Sequence, residues 1–180
     1  MKHIKPYKIF ESASPNFPTT REEVIQVCKR YGIEDYTIND DLSIDVDGDV
    51  ELYRQRLEYL PLKFNYVDGN FNCSNNKLKT LEGSPKTVGG NFDCSYNKLK
   101  GLEHFPEVSG DIDIRYNAVY LLLYTFINKA DTFMIEDFID YEIVRNGDTV
   151  MLDRLQTFIR DNDLEMPDLE EIKKEYKIIE

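Results

Sequence analysis

A chain of 180 residues that is 41% hydrophobic, with 12 tyrosines and 10 phenylalanines, is long enough to bury one sizeable core. Its 34 acidic residues against 22 basic ones leave a net charge of −12, which disfavours nonspecific binding to nucleic acid or to an anionic membrane and favours basic partners. No apolar run approaches the roughly 18 residues that a membrane span requires, so no membrane partner is expected.

Residues 1–18 read as an amino-terminal arm. Lys2, Lys5 and Lys8 precede the first acid, Glu11, and Pro6, Pro15 and Pro18 break any continuous helix. Residues 19–47 read as a helical cap followed by a first strand. Thr20 and Glu23 form a capping-box pattern, Val24, Val27, Cys28 and Tyr31 fall on one face, and Gly32 with Ile33 supplies the stop. This helix is expected to cover the open first end of the repeats and to keep their strand edge from pairing with another chain.

Asp40, Asp41, Asp45, Asp47 and Asp49 form the densest acidic run. An EF-hand loop with Gly48 at its sixth position needs acids where Ser43 and Arg54 stand, so that motif fails. Looser calcium coordination by Asp45, Asp47 and Asp49 stays open beside the simpler reading, in which Ile44 and Val46 alternate with the aspartates in a strand whose polar face meets water.

From 48 to 122 one pattern recurs, beginning at Gly48, Gly69, Gly90 and Gly110, at spacings of 21, 21 and 20 residues. The apolar columns are Val50, Phe71, Phe92, Ile112; Leu52, Cys73, Cys94, Ile114; Leu57, Leu78, Leu99, Val119; and Leu60, Leu81, Leu102, Leu122. A period near 20 predicts a solenoid, in which each unit is too small to bury its own apolar face and stacking makes the core. A sheet of similar hairpins is the alternative. Asn76, Asn97 and Asn117 fall at the turn after each short strand, where a buried amide can pair with backbone groups that have lost their strand partner. Gly83, Pro85, Gly89 and Gly90 suit a tight return to the next strand. Cys73 and Cys94 point inward in neighbouring strands and read as buried thiols, with a disulfide as the alternative. An odd count of three cysteines and no secretory-type apolar segment at the amino terminus predict a reducing compartment.

Phe71-x-Cys73-x-x-Asn76-x-Leu78-x-x-Leu81 resembles the leucine-rich-repeat consensus. Together with Tyr36-Thr-Ile-Asn-Asp-Asp41, Ile44-Asp-Val-Asp-Gly-Asp49, Asn91-Phe-Asp-Cys-Ser95 and Asn97-Lys-Leu99, it resembles a family of short leucine-rich-repeat proteins of large tailed bacteriophages, mostly uncharacterised. The resemblance covers roughly residues 20 to 122. It implies an α/β fold: a short leucine-rich-repeat-like solenoid of about four repeats of 20–21 residues, with an N-terminal helix and a helical C-terminal region as caps. It carries no catalytic residues. The first repeat departs from the pattern, with Gln55 where the others have Asn, as terminal repeats commonly do. In the arm, Ile9-Phe10-Glu11-Ser12 resembles the cleavage site of prohead proteases of such phages, which implies packaging with the genome.

The outward strand positions give the candidate site. Their central column reads Glu51, Asn72, Asp93, Asp113; the preceding one reads Asp49, Asn70, Asn91, Asp111; Tyr53 and Arg115 sit at the two ends of a third. Adjacent like charges, clearest at Asp93 beside Asp113, oppose strand pairing. Either water solvates this face or it is a rigid protein-binding surface, with Tyr53 and Arg115 as the anchor types that interfaces favour. Arg56, Lys77 and Lys98 form a basic ridge beside it, with Lys79 and Lys100 two positions on.

Residues 123–180 read as a second cap and extension, or as an independent recognition module. Phe133 to Tyr141 is expected to be helical, with Phe138 and Ile139 among its packing residues; Asn146-Gly147 signals a hairpin; Leu152, Leu155, Phe158 and Ile159 mark a further helix. Pro167 is expected to open a last helix on which Glu170 pairs with Lys174. No metal-ligand, phosphate-loop or nucleophile motif occurs, and His3 and His104 are the only histidines, so neither a catalytic residue nor a cofactor is expected. The functional expectation is a non-enzymatic protein that binds a host or viral protein through the acidic strand face, with countering a host defence as its purpose. It would act in the host cytoplasm. The alternatives are an internal virion protein and an acidic mimic of nucleic acid.

Overall fold

The computed structural model describes residues 15–123, 132–145 and 147–180. The candidate cleavage site at Ile9 to Ser12, His3 and most of the arm lie outside them, as do Asn146 and the apolar residues after Leu123 up to Ile127.

Helix α1 (Arg21–Tyr31) forms where the caps predict it. The Thr20 side chain accepts the Glu23 N–H at 3.2 Å, and Gly32, at φ 66°, ends the helix while Ile33 N–H reaches back to the Cys28 carbonyl at 3.0 Å. The reciprocal half of the box is shifted by one residue, because the Glu23 carboxylate accepts from Thr19 N–H at 2.8 Å. Val24 and Cys28 are fully buried, with Val27 and Tyr31 packed against the same core.

The chain then winds as a β-solenoid. Strands β3 (Val50–Glu51), β5 (Phe71–Asn72), β7 (Phe92–Asp93) and β9 (Ile112–Asp113) pair in parallel in the register of the sequence columns, Val50 on Phe71 on Phe92 on Ile112. Ile44–Val46 forms the expected strand, β2, and the return segments of the repeats, expected to be turns, extend it into a second parallel ladder with β4 (Phe64–Val67), β6 (Thr87–Val88) and β8 (Glu107–Val108). The two-residue strands β6 and β8 show no alternation to read, and the Gly and Pro around them mask the pairing. Strand β1 (Tyr36–Ile38) closes the start of this second sheet by pairing antiparallel with β2, so a strand takes that edge, while Val24 and Cys28 of α1 pack into the core.

Between the two sheets lies one continuous core. Phe64, Phe71, Phe92 and Phe105 form its spine: Phe71 and Phe92 stack at 5.7 Å, and Phe64 and Phe105 meet them edge-on at 5.0 and 5.1 Å. Leu52, Leu78, Leu81, Leu99, Leu102 and Leu122 complete it. Cys28, Cys73 and Cys94 are free and buried, and burial pushes the thiols of Cys73 and Cys94 well up from their ordinary range.

After β9 the repeat ends in α2 (Tyr120–Leu123), with Leu122 and Leu123 buried. Helix α3 (Thr132–Asp140) buries Ile135 and Phe138. Strands β10 (Val144–Arg145) and β11 (Thr149–Met151) form the expected hairpin, and α4 (Leu152–Asp161) buries Leu155, Phe158 and Ile159. The last helix is shorter than expected: α5 (Leu169–Ile172) is capped by Asp168 and not opened by Pro167, and Glu170 pairs with Lys173 while Lys174 pairs with Glu171. The chain finishes as β12 (Lys177–Ile179), parallel to β11. Tyr176 docks this tail on the solenoid, buried, its hydroxyl donating to the Lys100 carbonyl at 2.9 Å. Among the described residues no helix is long and apolar enough to cross a membrane.

Candidate binding surface

The first outward column is a staircase between coils. An Asp49 carboxylate oxygen accepts Asn70 N–H at 2.7 Å, Asn70 Oδ1 accepts Asn91 N–H at 2.8 Å, and Asn91 Oδ1 accepts Asp111 N–H at 2.8 Å. The glycine before each step lets the backbones approach: a Cβ on Gly90 would stand 2.8 Å from the Gly69 carbonyl oxygen. These acids and amides hold one coil to the next.

The central column has a different internal role. Each side chain accepts the N–H two residues on, closing its strand with a side-chain turn: Glu51 from Tyr53 at 2.9 Å, Asn72 from Ser74 at 3.0 Å, Asp93 from Ser95 at 2.9 Å and Asp113 from Arg115 at 3.0 Å. That turn favours a short side-chain oxygen acceptor, which accounts for Asp or Asn at three of the four steps, and Glu51 makes it with a longer one. The like-charge contact of Asp93 with Asp113 is relieved because Arg115 folds its guanidinium onto both Asp113 oxygens, Nε at 2.9 Å and Nη2 at 2.5 Å. This bond holds the Asp113 carboxyl below the usual carboxylate range.

The third column is outward only at its ends. Ser74 and Ser95 are buried, whereas Tyr53 is exposed under the Arg54 guanidinium, which sits 5.0 Å from its ring centroid. Arg115 is exposed but already engaged with Asp113.

Sequence reasoning missed the next column, Arg54, Asn75, Tyr96 and Tyr116, in which every residue has a left-handed backbone, with φ from 52° to 59°. Tyr96 and Tyr116 stack at 4.1 Å between centroids and are 49% and 62% exposed, the largest aromatic area on this side. The neighbouring Tyr116 phenol is the main influence raising the Tyr96 phenol from its ordinary range. The repeat register aligns these residues in the sequence, but hydrophobic periodicity gives a turn position no weight.

On the ridge, Lys79 pairs with Glu58 at 3.1 Å, and Lys100 Nζ donates to the Glu175 carbonyl at 2.6 Å. Arg56, Lys77 and Lys98 form no salt bridge among the described residues. His104 is exposed. The acids of the 40–49 run do not converge: Asp45 Oδ1 accepts from Asn39 at 3.2 Å and Asn65 at 2.7 Å, and Asp49 engages Asn70. Among the described residues no group of three or more His, Cys, Asp or Glu could hold a metal ion.

Comparison with protein-family models, curated proteins and solved structures finds no match to this chain.

Proposed function

We propose that this chain is a non-enzymatic interaction protein that binds a host or viral protein through the strand side of its solenoid, with Tyr96 and Tyr116 at the centre of the contact. The observation that carries this reading is the stacked, exposed pair on left-handed backbone. A bulky side chain there costs about 1 kcal/mol relative to glycine, and Asn75 marks the cheaper occupant in the same column. Stacked aromatics beside Arg115, on a scaffold that loses little entropy on binding, are the residue types that interfaces use as anchors. The acids around them supply orientation toward a basic partner.

The sequence resemblance supports a leucine-rich-repeat solenoid of four repeats and a phage origin, and countering a host defence is the purpose proposed for it. The virion alternative rests on Ile9 to Ser12, outside the described residues.

The test is capture from host and infected-cell lysates with the native chain and with Tyr96→Asn plus Tyr116→Asn, whose asparagines suit the left-handed backbone. Circular dichroism checks that both are folded. Loss of the captured partner in the folded double variant, with Arg56→Ser unchanged, supports the reading. Capture that survives the double variant removes it.

A further inference from the structure

Each step of the solenoid leaves the next strand a template, and the last step is open. Phe92 N–H donates to the Asp111 carbonyl and Cys94 N–H to the Asp113 carbonyl, each at 2.9 Å. By the same alternation Ile112 and Ile114 aim their N–H groups away from β7, and among the described residues no strand lies beside β9 on that side. Asp111 occupies the position from which Asp49, Asn70 and Asn91 each accept an N–H of the following coil, and among the described residues nothing donates to its carboxylate. A groove of about 420 Å³ spans the last two strands, lined by residues 91–93 around β7 and 111–115 around β9. Ile112 is only half-buried there, whereas Phe71 and Phe92 in the same column are covered completely.

We propose that this edge accepts an extended, basic segment of a partner protein as a fifth parallel strand. The backbone of the guest would meet the N–H groups of Ile112 and Ile114 and the Asp111 carboxylate. Lysine or arginine at its first outward position would stand about 5 Å from Asp111, whose carboxylate pairs with no cation among the described residues, whereas Asp113 is held by Arg115. Charge selects this occupant over a second copy of the chain. A copy stacking head to tail would bring its own β3 to the edge, setting Asp49 against Asp111 and Glu51 against Asp113. The Asp49–Asp111 contact is like-charged, whereas no internal step of that column is, because Asn70 and Asn91 stand between the acids; at Asp113 the Arg115 guanidinium relieves the charge. The carboxylates at both ends therefore block open-ended stacking and leave a socket for the opposite charge. This inference uses backbone groups at the end of the sheet and is independent of the tyrosine pair.

The probes are two synthetic peptides, Gly-Lys-Ile-Lys-Ile-Ser-Asn and Gly-Asp-Ile-Asp-Ile-Ser-Asn, added to the full chain. Amide hydrogen exchange at Ile112 and Ile114, followed by NMR, reads the edge, while the ring signals of Tyr96 and Tyr116 read the other surface. The lysine peptide is expected to slow exchange at both amides and the aspartate peptide to leave them unchanged. Asp111→Lys plus Asp113→Lys should weaken the lysine peptide by at least about tenfold, and Asp111→Asn, which keeps the acceptor, by less. Unchanged exchange at Ile112 and Ile114, equal protection by both peptides, or protection that arises from self-association in sedimentation without peptide would each overturn the proposal. A lysine peptide that moves only the tyrosine signals would overturn it while leaving the aromatic surface in place.

Discussion

Asn97 joins two coils of the solenoid: its Oδ1 accepts Leu78 N–H at 2.9 Å, and its Nδ2 donates to the carbonyls of Cys73 and Cys94, both at 3.0 Å. Asn76 and Asn117 repeat the arrangement, Asn76 accepting from Leu57 and donating to Leu52, Asn117 accepting from Leu99 and donating to Cys94. Replacing Asn97 by Ala leaves an N–H and two carbonyls without partners at the margin of the core, a loss of about 3 kcal/mol. Asn97→Asp keeps the acceptor but turns a negative oxygen toward those carbonyls. Its folded-state pKa would rise, so its penalty should be full at neutral pH and shrink as pH falls through the folded value toward the unfolded one. Urea denaturation at pH 7 and pH 4.5 checks both expectations; equal loss for Asn97→Asp at the two values would contradict the geometry.

The same residue shows what was legible in the sequence. A column of asparagines at constant spacing pointed to backbone pairing at a turn, and the inward columns of Val, Phe, Leu and Cys fixed the register of one sheet without knowledge of the other. Gln55 departs from that column for a physical reason: among the described residues no solenoid coil precedes it with carbonyls to receive an amide, and its Nε2 donates to the Tyr53 carbonyl at 3.3 Å. The second ladder escaped notice because Thr87–Val88 and Glu107–Val108 are too short to show a period. Residue type misled at the outward acids. Asp and Asn there read as a charged face, but side-chain turns and the staircase between coils require those same residues, so a binding role could not be separated from folding chemistry by sequence alone. Tyr96 and Tyr116 were overlooked because backbone handedness, invisible to periodicity, is what makes them unusual.

The Asp113–Arg115 pair should make a small, pH-dependent contribution. Asp113 has a lowered folded-state pKa, so its stabilisation is present above the unfolded carboxylate value and is lost as pH falls through the folded one. Asp113→Asn keeps the turn to Arg115 N–H and removes only the ion pair, which is exposed on the arginine side; the expected cost at pH 7 is about 0.5 kcal/mol. Asp113→Ala loses the turn as well and should cost about 1–2 kcal/mol. Denaturation curves from pH 7 down to pH 2 should show the native chain and Asp113→Asn converging at the acid end. A constant gap would mean that Asp113 is not held by the arginine.

Two glycines separate crowding from backbone handedness. A Cβ on Gly89 would lie 2.2 Å from the Asp68 carbonyl oxygen, a backbone atom that cannot move without displacing β4. Gly89→Ala should therefore cost more than about 3 kcal/mol or prevent folding. Gly147 has φ +65° and open space around its Cβ position, so Gly147→Ala should cost only about 1 kcal/mol. Thermal melts of the two variants give the ordering, and a Gly89→Ala variant as stable as Gly147→Ala would refute the close approach of neighbouring coils.

The three free cysteines report how the solenoid opens. Cys28 faces the core from α1 at one end, while Cys73 and Cys94 lie under neighbouring strands in the middle, and all three are fully buried. The thiolate is the reactive form, so burial and the raised thiol pKa of Cys73 and Cys94 make them inert until the coils separate. Stacked repeats contact only their neighbours, and a terminal element therefore opens at lower free energy than a central one. Labelling with an excess of an aromatic disulfide reagent, followed by mass spectrometry, should modify Cys28 first, with Cys73 and Cys94 following together at the rate of global unfolding. Simultaneous labelling of all three would make α1 part of one cooperative unit with the repeats. Early labelling of Cys73 alone would contradict the buried position that the phenylalanine spine and the staircase assign to it.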